Sequence, residues 1–382
     1  MQEKGSAIAE PMADLGDSSD FRGVSLATRK EKGVARRARE LKILWNTFLR
    51  GWSYFRGEEV ALGYPTITSL EPTNFCPMSC RMCPRTEYMT RKIGYMDFEL
   101  YKKIIDQAKG HTQYLGIQLF GDSVFHPRIW DMVDYAEEHG ISIMISTNPT
   151  SLTKQKADDL LKSKLSNLVL SMEGTNDATY KYYRGPRANY ELAIKNIEYL
   201  CKRKVALGKK GPLITIRMIK MKLTEVEYEH FKKLWTNYPG IDEVSIKNFS
   251  TYGGMYSSIN QSASEEQKSK RFKQPSMHPC RDPWINITVL WDGRVVPCCI
   301  DVDGYNVVGD LRTQTLEELW NGPKMRELRR QHITGKYGSN KFCKYCRERR
   351  SYPPSKWYPF NAFVLSRIGK IYDLIIRKHS IG

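Results

Sequence analysis

The sequence lacks the features that mark several large protein classes. No apolar run approaches the roughly 20 residues that a membrane-spanning helix needs, so we do not expect an integral membrane protein. No apolar stretch follows a basic one near the N-terminus, and we therefore expect no secretory signal and a cytoplasmic location. No internal repeat and no nucleic-acid-binding motif is present, which argues against a nucleic acid partner. With 41% hydrophobic residues the chain can build a core, which excludes wholesale disorder.

Positive charge, in contrast, is in excess, at a formal +18 over 382 residues. Residues 22–57 and 341–382 each carry a net charge of +8, whereas residues 1–21 carry −4 and are predicted to be a disordered tail. Apolar residues recur at three- and four-residue steps near both ends, which predicts basic amphipathic helices within 22–64 and 351–382.

The two terminal helices have two possible uses. We expect the apolar stripe of the N-terminal helix to pack on the protein's own body, while peripheral contact with an anionic membrane surface is the alternative. For the C-terminal helix both interpretations stay open. The N-terminal stripe consists of Leu41, Leu44, Trp45, Phe48, Trp52 and Phe55.

Strand-like and helix-like runs alternate through residues 65–250. This alternation predicts an α/β fold with a parallel sheet built from right-handed crossovers, whose ligands bind at the carboxyl ends of the strands. The predicted strands are 65–73, 112–122, 141–148, 165–174, 211–222 and 241–249, and the predicted helices are 96–109, 127–140, 151–163, 189–204 and 225–237. Residues 251–279 are rich in Ser, Gly, Gln and Lys and are predicted to be a linker or mobile loop. Residues 283–300 are typical of a hairpin that turns at Asp292-Gly293, and residues 315–333 of a helix.

Seven of the nine cysteines fall into two spaced groups. The first group, Cys76, Cys80 and Cys83, has C-x3-C-x2-C spacing in the loop after the first predicted strand. An odd number of cysteines in a chain without an export signal disfavours disulfides. Structural zinc sites take four protein ligands, and no fourth Cys or His is near. Three closely spaced thiolates suit a [4Fe–4S] cube that leaves one iron open.

The segment NFCPMSCRMCPR resembles the cluster motif of the radical S-adenosylmethionine (SAM) superfamily. The resemblance covers roughly residues 65–250 and implies a partial parallel (β/α)6 barrel. In that family the open iron binds SAM, and the reduced cluster cleaves SAM to a 5′-deoxyadenosyl radical. The implied SAM contacts are Gly121, Asp122, Asn148, Ser171, Glu173 and Arg217. Phe120 and Asp122 stand where the family usually has Gly and Glu, and Pro149 follows Asn148 where Gly is common.

The second group of cysteines suits a site in which protein ligands fill every coordination position. Cys280, Cys298, Cys343 and Cys346 provide four thiolates, enough for zinc or for another [4Fe–4S] cluster. Taken together with the first motif, this second group resembles the auxiliary-cluster domain of the SPASM/twitch branch of radical SAM enzymes, within residues 280–350. No cysteine follows Cys346, so the pattern resembles the shortened form with one auxiliary cluster.

The two remaining cysteines have other expected roles. Cys201 lies near a helix end and is expected to be structural. Cys299 follows a ligand on a strand, so its side chain is expected to point away from the site. Some relatives use a free cysteine to deliver a hydrogen atom to the substrate, and Cys299 is a candidate for that role.

The resemblance implies two [4Fe–4S] clusters, SAM, and a flavodoxin- or ferredoxin-type reductant. A fully ligated second cluster suits electron transfer, which favours an oxidoreductase that dehydrogenates or epimerises a small molecule or carbohydrate. Residues 1–64 show a helix and no strand-rich module of the kind that grips a leader peptide, so we keep peptide modification as the alternative. A non-catalytic iron–sulfur or zinc protein is the rival from another class. Tyr252 and Tyr256 are candidate substrate contacts.

Overall fold

The computed structural model describes residues 33–265 and 279–347, with side chains from residue 38 onward. The predicted tail at 1–21, the predicted C-terminal helix at 351–382 and residues 266–278 of the predicted linker lie outside the described residues. All six predicted strands of the central region are present. They are β1 (Thr66–Leu70), β2 (Tyr114–Ile117), β3 (Ser142–Thr147), β4 (Asn167–Ser171), β5 (Leu213–Lys220) and β6 (Glu243–Asn248).

Helices alternate with these strands and cover the sheet. They are α1 (Gly33–Arg56), α2 (Pro84–Glu87), α3 (Phe98–Ala108), α4 (Ile129–Glu138), α5 (Lys154–Lys162), α6 (Asp177–Arg184), α7 (Tyr190–Ala206), α8 (Tyr228–Trp235), α9 (Ser257–Asn260), α10 (Asp282–Ile285), α11 (Leu316–Trp320), α12 (Pro323–Thr334) and α13 (Lys341–Tyr345). Asp97 caps α3 by accepting hydrogen bonds from two backbone N–H groups. The helix predicted at 315–333 is split in two, because Pro323 starts a new helix and cannot continue the preceding one.

The sheet is parallel from β1 to β6, with the strands side by side in chain order. The free edge of β1 pairs with β7 (Asn286–Val289), also in parallel, and β8 (Arg294–Val296) and β9 (Gly309–Asp310) follow in antiparallel order. Gly293 turns the hairpin between β7 and β8 with φ of +88°, as the sequence predicts. The C-terminal hairpin therefore extends the barrel sheet.

The core lies between the sheet and the helices. Strand residues facing it are completely buried, as are the facing residues of the covering helices. Examples are Ile67, Leu115, Ile143, Leu168, Ile214, Ile104, Met132, Leu160, Leu200 and Phe231. The predicted α/β fold with a mostly parallel sheet is confirmed.

The first part of the segment predicted as a linker is packed instead. Tyr256, Ile259 and Ala263 are 7%, 1% and 0% exposed, and Ser262 accepts a hydrogen bond through its carbonyl from the Lys222 N–H at 3.1 Å. In residues 251–265 a few apolar residues thus anchor a segment of otherwise polar composition.

Helix α1 is present, but three of the six residues of its apolar stripe are exposed instead of packed on the body. Leu41, Trp45 and Trp52 are 56%, 61% and 38% exposed. The side of the helix that faces the protein carries the buried polar residues Asn46 and Arg50 together with the buried Tyr54. The expectation is wrong because periodicity identifies an apolar face but not what that face contacts.

Hydrogen bonds hold the polar face of α1 against the body. Asn46 Nδ2 donates to the Tyr64 carbonyl at 2.9 Å, and its Oδ1 accepts from the Tyr64 N–H at 2.6 Å. Arg50 Nη1 donates to Thr66 Oγ1 at 2.5 Å and to the carbonyl of Ile285. Among the described residues, no helix is both long and apolar enough to cross a membrane.

Candidate active site

The first cysteine group lies in the loop between β1 and α2, at the carboxyl end of the sheet. Cys83 is the residue that precedes α2, and its N–H donates to the Cys80 carbonyl at 3.1 Å. Thr86 Oγ1 donates to the same carbonyl at 3.0 Å. These local bonds fold the C-x2-C half into a compact turn.

Burial controls the ionisation of these thiols. It raises the pKa of Cys76 to about 11 and that of Cys83 to about 12. Burial also raises the pKa of Cys80, while the Arg184 guanidinium, whose Nη1 lies 3.7 Å from Cys80 Sγ, opposes that rise. Iron ligands are thiolates, so binding of a cluster here displaces protons.

Gly121 brings the end of β2 against the start of the cysteine loop. A Cβ atom at this position would lie 2.0 Å from the Thr73 carbonyl oxygen and 2.8 Å from Asn74 Cα. Asp122 then ties the two segments together, since its N–H donates to the Phe75 carbonyl at 2.9 Å. Gly121 is thus required by close backbone packing beside the cysteines.

Polar side chains follow β2, β3 and β4 in turn. Asp122 is 4% exposed, and its Oδ1 accepts from Thr147 Oγ1 at 2.8 Å. Asn148 is 4% exposed, and its Oδ1 accepts from the Thr150 N–H at 2.8 Å and from the Tyr180 hydroxyl at 2.6 Å. Burial raises the pKa of Asp122, and the hydrogen bond from Thr147 offsets part of that rise.

Glu173 and Arg184 form an ion pair beside the first cysteine group. The Glu173 side chain is fully buried and Oε2 accepts from Arg184 Nε. Burial raises the pKa of Glu173, and the Arg184 charge opposes this. The same guanidinium contacts Cys80 Sγ, so one cation links the carboxylate after β4 to a predicted cluster ligand.

Ser171 and Arg217 lie opposite each other on β4 and β5. Ser171 Oγ is 3.1 Å from Ser146 Oγ on β3, and Arg217 is 7% exposed. The residues that the family resemblance assigns to SAM therefore lie at or just after the ends of β2, β3 and β4, and Arg217 lies within β5 opposite the last residue of β4.

Several buried polar atoms at these strand ends have no hydrogen-bond partner within the described part of the chain. They include Asp122 Oδ2, Asn148 Nδ2, Ser151 Oγ and Glu173 Oε1. Leaving such atoms unsatisfied costs about 1–3 kcal/mol each, so each of them needs a water or a polar ligand as its partner. Two acceptors and one amide donor fit a molecule with an ammonium group, hydroxyls and carboxylate or ring acceptors, as SAM has.

The second cysteine group shares one cavity. Its lining residues are Cys280, Asp282, Pro283, Pro297, Cys298, Ile300, Leu328, His332, Phe342, Cys343 and Cys346. In the described ranges, no three His, Cys, Asp or Glu side chains are grouped to hold a single metal ion. Thiolates of a [4Fe–4S] cube bind separate irons and need not converge on one point, so a cluster held by these four cysteines stays a prediction.

Three polar neighbours of this cavity were not predicted. Cys298 Sγ lies 3.7 Å from Asp282 Oδ2, and Asn306 Nδ2 lies 3.9 Å from Cys343 Sγ. His332 Nδ1 accepts from the Cys280 N–H at 3.3 Å. No spacing or motif marks Asn306 or His332, whereas Asp282 stands two residues after a predicted ligand and could have been suspected. Cys299 is not among the residues that line the cavity.

One turn links the two cysteine groups. Tyr252 and Met255 pack against the apolar residues around Cys80 and also against those around Cys346. A Cβ atom on Gly253, which has φ of +79°, would lie 3.4 Å from Cys346 Sγ. Of the two candidate substrate contacts, Tyr252 lies near Phe120 with the rings tilted and their centroids 6.4 Å apart, and Tyr256 is buried with its ring centroid 4.6 Å from that of Tyr88.

Comparison with known proteins agrees with this geometry. The model of the radical SAM superfamily matches residues 70–234, and the model of SPASM, an iron–sulfur cluster-binding domain, matches residues 280–347. A tungsten-containing aldehyde ferredoxin oxidoreductase cofactor-modifying protein of Pyrococcus furiosus is 23% identical over 67% of this chain and 80% of its own. The mycofactocin maturase MftC of Mycobacterium tuberculosis is 24% identical over 42% of this chain and 41% of its own.

A solved structure supports the fold. The crystal structure of Streptococcus suis SuiB bound to the precursor peptide SuiA matches with a TM-score of 0.54 at 16% identity, covering 82% of this chain and 74% of that one. With both domain models matched in order over the two cysteine groups, the chain belongs to the radical SAM superfamily and carries a SPASM-type iron–sulfur domain.

Proposed function

We propose that this radical SAM enzyme binds SAM against the carboxyl ends of β2 to β5 and uses it to abstract a hydrogen atom from a substrate. When bound, a [4Fe–4S] cluster on Cys76, Cys80 and Cys83 supplies the electron for reductive cleavage of SAM. The observation that carries the proposal is the set of unpartnered buried atoms at Asp122 and Glu173, next to the cysteine loop.

The chain's own residues divide the binding of SAM among them. Asp122 Oδ2 accepts from the ammonium group, and Glu173 Oε1 accepts from a ribose hydroxyl. Arg217 suits the SAM carboxylate, because a guanidinium fork matches a carboxylate in charge and shape. Arg184 holds Glu173 in place and balances the charge of Cys80.

The second group is proposed to hold one auxiliary [4Fe–4S] cluster on Cys280, Cys298, Cys343 and Cys346. Four thiolates occupy every iron, so such a cluster offers electron transfer rather than substrate binding. The contacts of Tyr252 and Met255 with both cysteine groups support substrate placement between them.

For the reaction we propose oxidation or epimerisation of a small molecule or carbohydrate. The relative in Pyrococcus furiosus, whose name describes modification of a cofactor, supports a small substrate. Peptide modification is the second candidate, since the fold is similar to SuiB, a protein seen with its precursor peptide. The two substrate classes have comparable support, and flavodoxin or ferredoxin is the proposed reductant for either.

Anaerobic reconstitution tests the cofactor assignment. We expect about eight irons per chain and release of 5′-deoxyadenosine on reduction with SAM. Cys80→Ala should lose about half the iron and all SAM cleavage, whereas Cys343→Ala should lose a similar amount of iron and retain some cleavage. Cys201→Ala, a buried cysteine outside both groups, is the matched control. No 5′-deoxyadenosine from the wild type would favour a non-catalytic protein.

Isotope transfer tests the substrate class. Extract from cells grown in deuterated medium is separated into small-molecule and peptide fractions and supplied to the reduced enzyme with SAM. Deuterium should enter 5′-deoxyadenosine from the small-molecule fraction. Transfer from the peptide fraction alone would make peptide modification the function.

A further inference from the structure

The outward face of α1 forms an aromatic ladder that the proposed function does not use. Trp45 and Phe48 stack with ring centroids 5.3 Å apart, Phe48 and Trp52 follow at 6.2 Å, and Trp52 and Phe55 at 6.1 Å. Leu41 extends the ladder by one turn and is 56% exposed. Single exposed apolar residues are common, but a continuous aromatic row marks an interaction surface.

The orientation of the helix is fixed, so this exposure is built into the fold. The buried bonds of Asn46 and Arg50 on the opposite face would break if the helix rotated to hide its aromatics. Ser53 adds a third anchor on that side, because its Oγ accepts from the Leu62 N–H at 2.8 Å. Buried polar groups left without partners would make the rotated arrangement costly.

The sequence segment that contains the ladder is basic. Residues 22–57 contain ten Lys and Arg and only two Glu. Lys42 is exposed beside the ladder, and the Arg56 side chain at its end is 59% exposed. Tryptophan and phenylalanine flanked by basic residues are typical of helices that lie in the headgroup region of a bilayer.

We propose that α1 docks the enzyme on an anionic lipid surface, with Trp45, Phe48 and Trp52 entering the headgroup region. Lys and Arg near an anionic leaflet are attracted over about a Debye length, which adds to the apolar contact. The surface charge also disfavours two other occupants. A second copy would bring two segments of net +8 together, and the chain's own residues 341–382 are equally basic.

Vesicle binding by the full-length, cluster-loaded protein tests the proposal. Co-sedimentation is measured with vesicles of phosphatidylcholine alone and of equimolar phosphatidylcholine and phosphatidylglycerol, at low and high salt. Wild type should bind the anionic vesicles and lose binding at high salt. The Trp45→Gln/Trp52→Gln variant should bind about tenfold more weakly. The control variant Val205→Gln/Val226→Gln changes two valines outside α1 that are 56% and 88% exposed. This variant should bind like wild type.

Four results would overturn the proposal. One is absence of wild-type binding to anionic vesicles, and another is unchanged binding by the double tryptophan variant with intact iron content and circular dichroism. The third is a dimer in sedimentation velocity without lipid that the tryptophan variant converts to a monomer, which would assign the ladder to self-association. If charge reversal at Arg377 and Lys378 alone removes binding, the C-terminal segment is the contact and α1 is not.

Discussion

Arg91 and Glu71 form a bidentate ion pair inside the protein. Arg91 Nη1 lies 2.7 Å from Glu71 Oε2, and Nη2 lies 2.8 Å from Oε1. The side chains are 4% and 0% exposed. Arg91 Nε also donates to the Val302 carbonyl at 2.7 Å. One guanidinium thus connects the residue after β1, the segment after the first cysteine group and the SPASM domain.

Removing the cation from this pair should be costly. Arg91→Met leaves the Glu71 carboxylate buried without its partner, and we expect the free energy of unfolding to fall by about 3–5 kcal/mol. Arg330→Ala is the control, because the Arg330–Glu59 pair is 53% and 37% exposed and an exposed ion pair contributes little to stability. Urea unfolding of both variants measures the difference. Equal losses would contradict the structural role given to Arg91.

Replacement of Asp122 by Asn tests its role toward SAM. The amide keeps an oxygen for Thr147 but removes the charge that would face the ammonium group, and a hydrogen bond to a charged group contributes about 1.5–3 kcal/mol. Asp122→Asn should therefore raise the Kd of SAM roughly tenfold to a hundredfold without loss of iron. Isothermal titration of the reconstituted enzyme measures Kd. Asp131→Asn, on the exposed side of α4, should leave it unchanged.

A methyl group at Gly121 should disturb the first cysteine loop. The contact of 2.0 Å with the Thr73 carbonyl requires the backbone to move, at a cost of about 3 kcal/mol. Gly121→Ala should lose stability and iron from the first site together. Gly208→Ala adds only backbone strain at φ of +59° with no atom within 4 Å, about 1 kcal/mol. If Gly121→Ala kept full iron content, close approach at this point would be unnecessary.

Glu137 gives the fold a pH dependence. Burial raises its pKa from 4.5 to about 7, although the Ile143 and Ser166 N–H groups donate to Oε1 and favour the charged form. The folded state therefore binds a proton that the unfolded state releases, and stability falls as pH rises from about 4.5 to 7, by at most about 3 kcal/mol. Glu137→Gln should flatten this slope in urea titrations at several pH values. Exposed Glu138→Gln should retain the wild-type slope, and a retained slope in Glu137→Gln would refute the assignment.

The sequence is sufficient to predict the strands of the sheet, but not which face of every helix is exposed. The strands of residues 65–250 are predicted because buried parallel strands are apolar runs bounded by turn residues. The hairpin is predicted because Gly293 supplies the positive φ that its turn requires. The orientation of α1 is not predictable in the same way, since Arg50 is buried by distant carbonyls that periodicity does not reveal.

For the candidate site, too, the sequence predicts some features and does not predict others. Cysteine spacing predicts both groups, because the proposed ligands of one cluster must be close in space. The pairing of Glu173 with Arg184, and the contact of Arg184 with Cys80, depend on the packing of α6 against the loop. His332 approaches the second group from α12, more than fifty residues after Cys280.

The pairing of β7 with β1 has a consequence for how the chain can be divided. Four residues of β1, from Thr66 to Leu70, are matched to β7 from Asn286 to Val289. A fragment ending before residue 280 would remove this partner from β1 and leave an unpaired strand edge open to other chains. The chain should therefore not tolerate truncation at the boundary between the two family domains. The barrel expressed alone should aggregate instead of folding as a smaller enzyme.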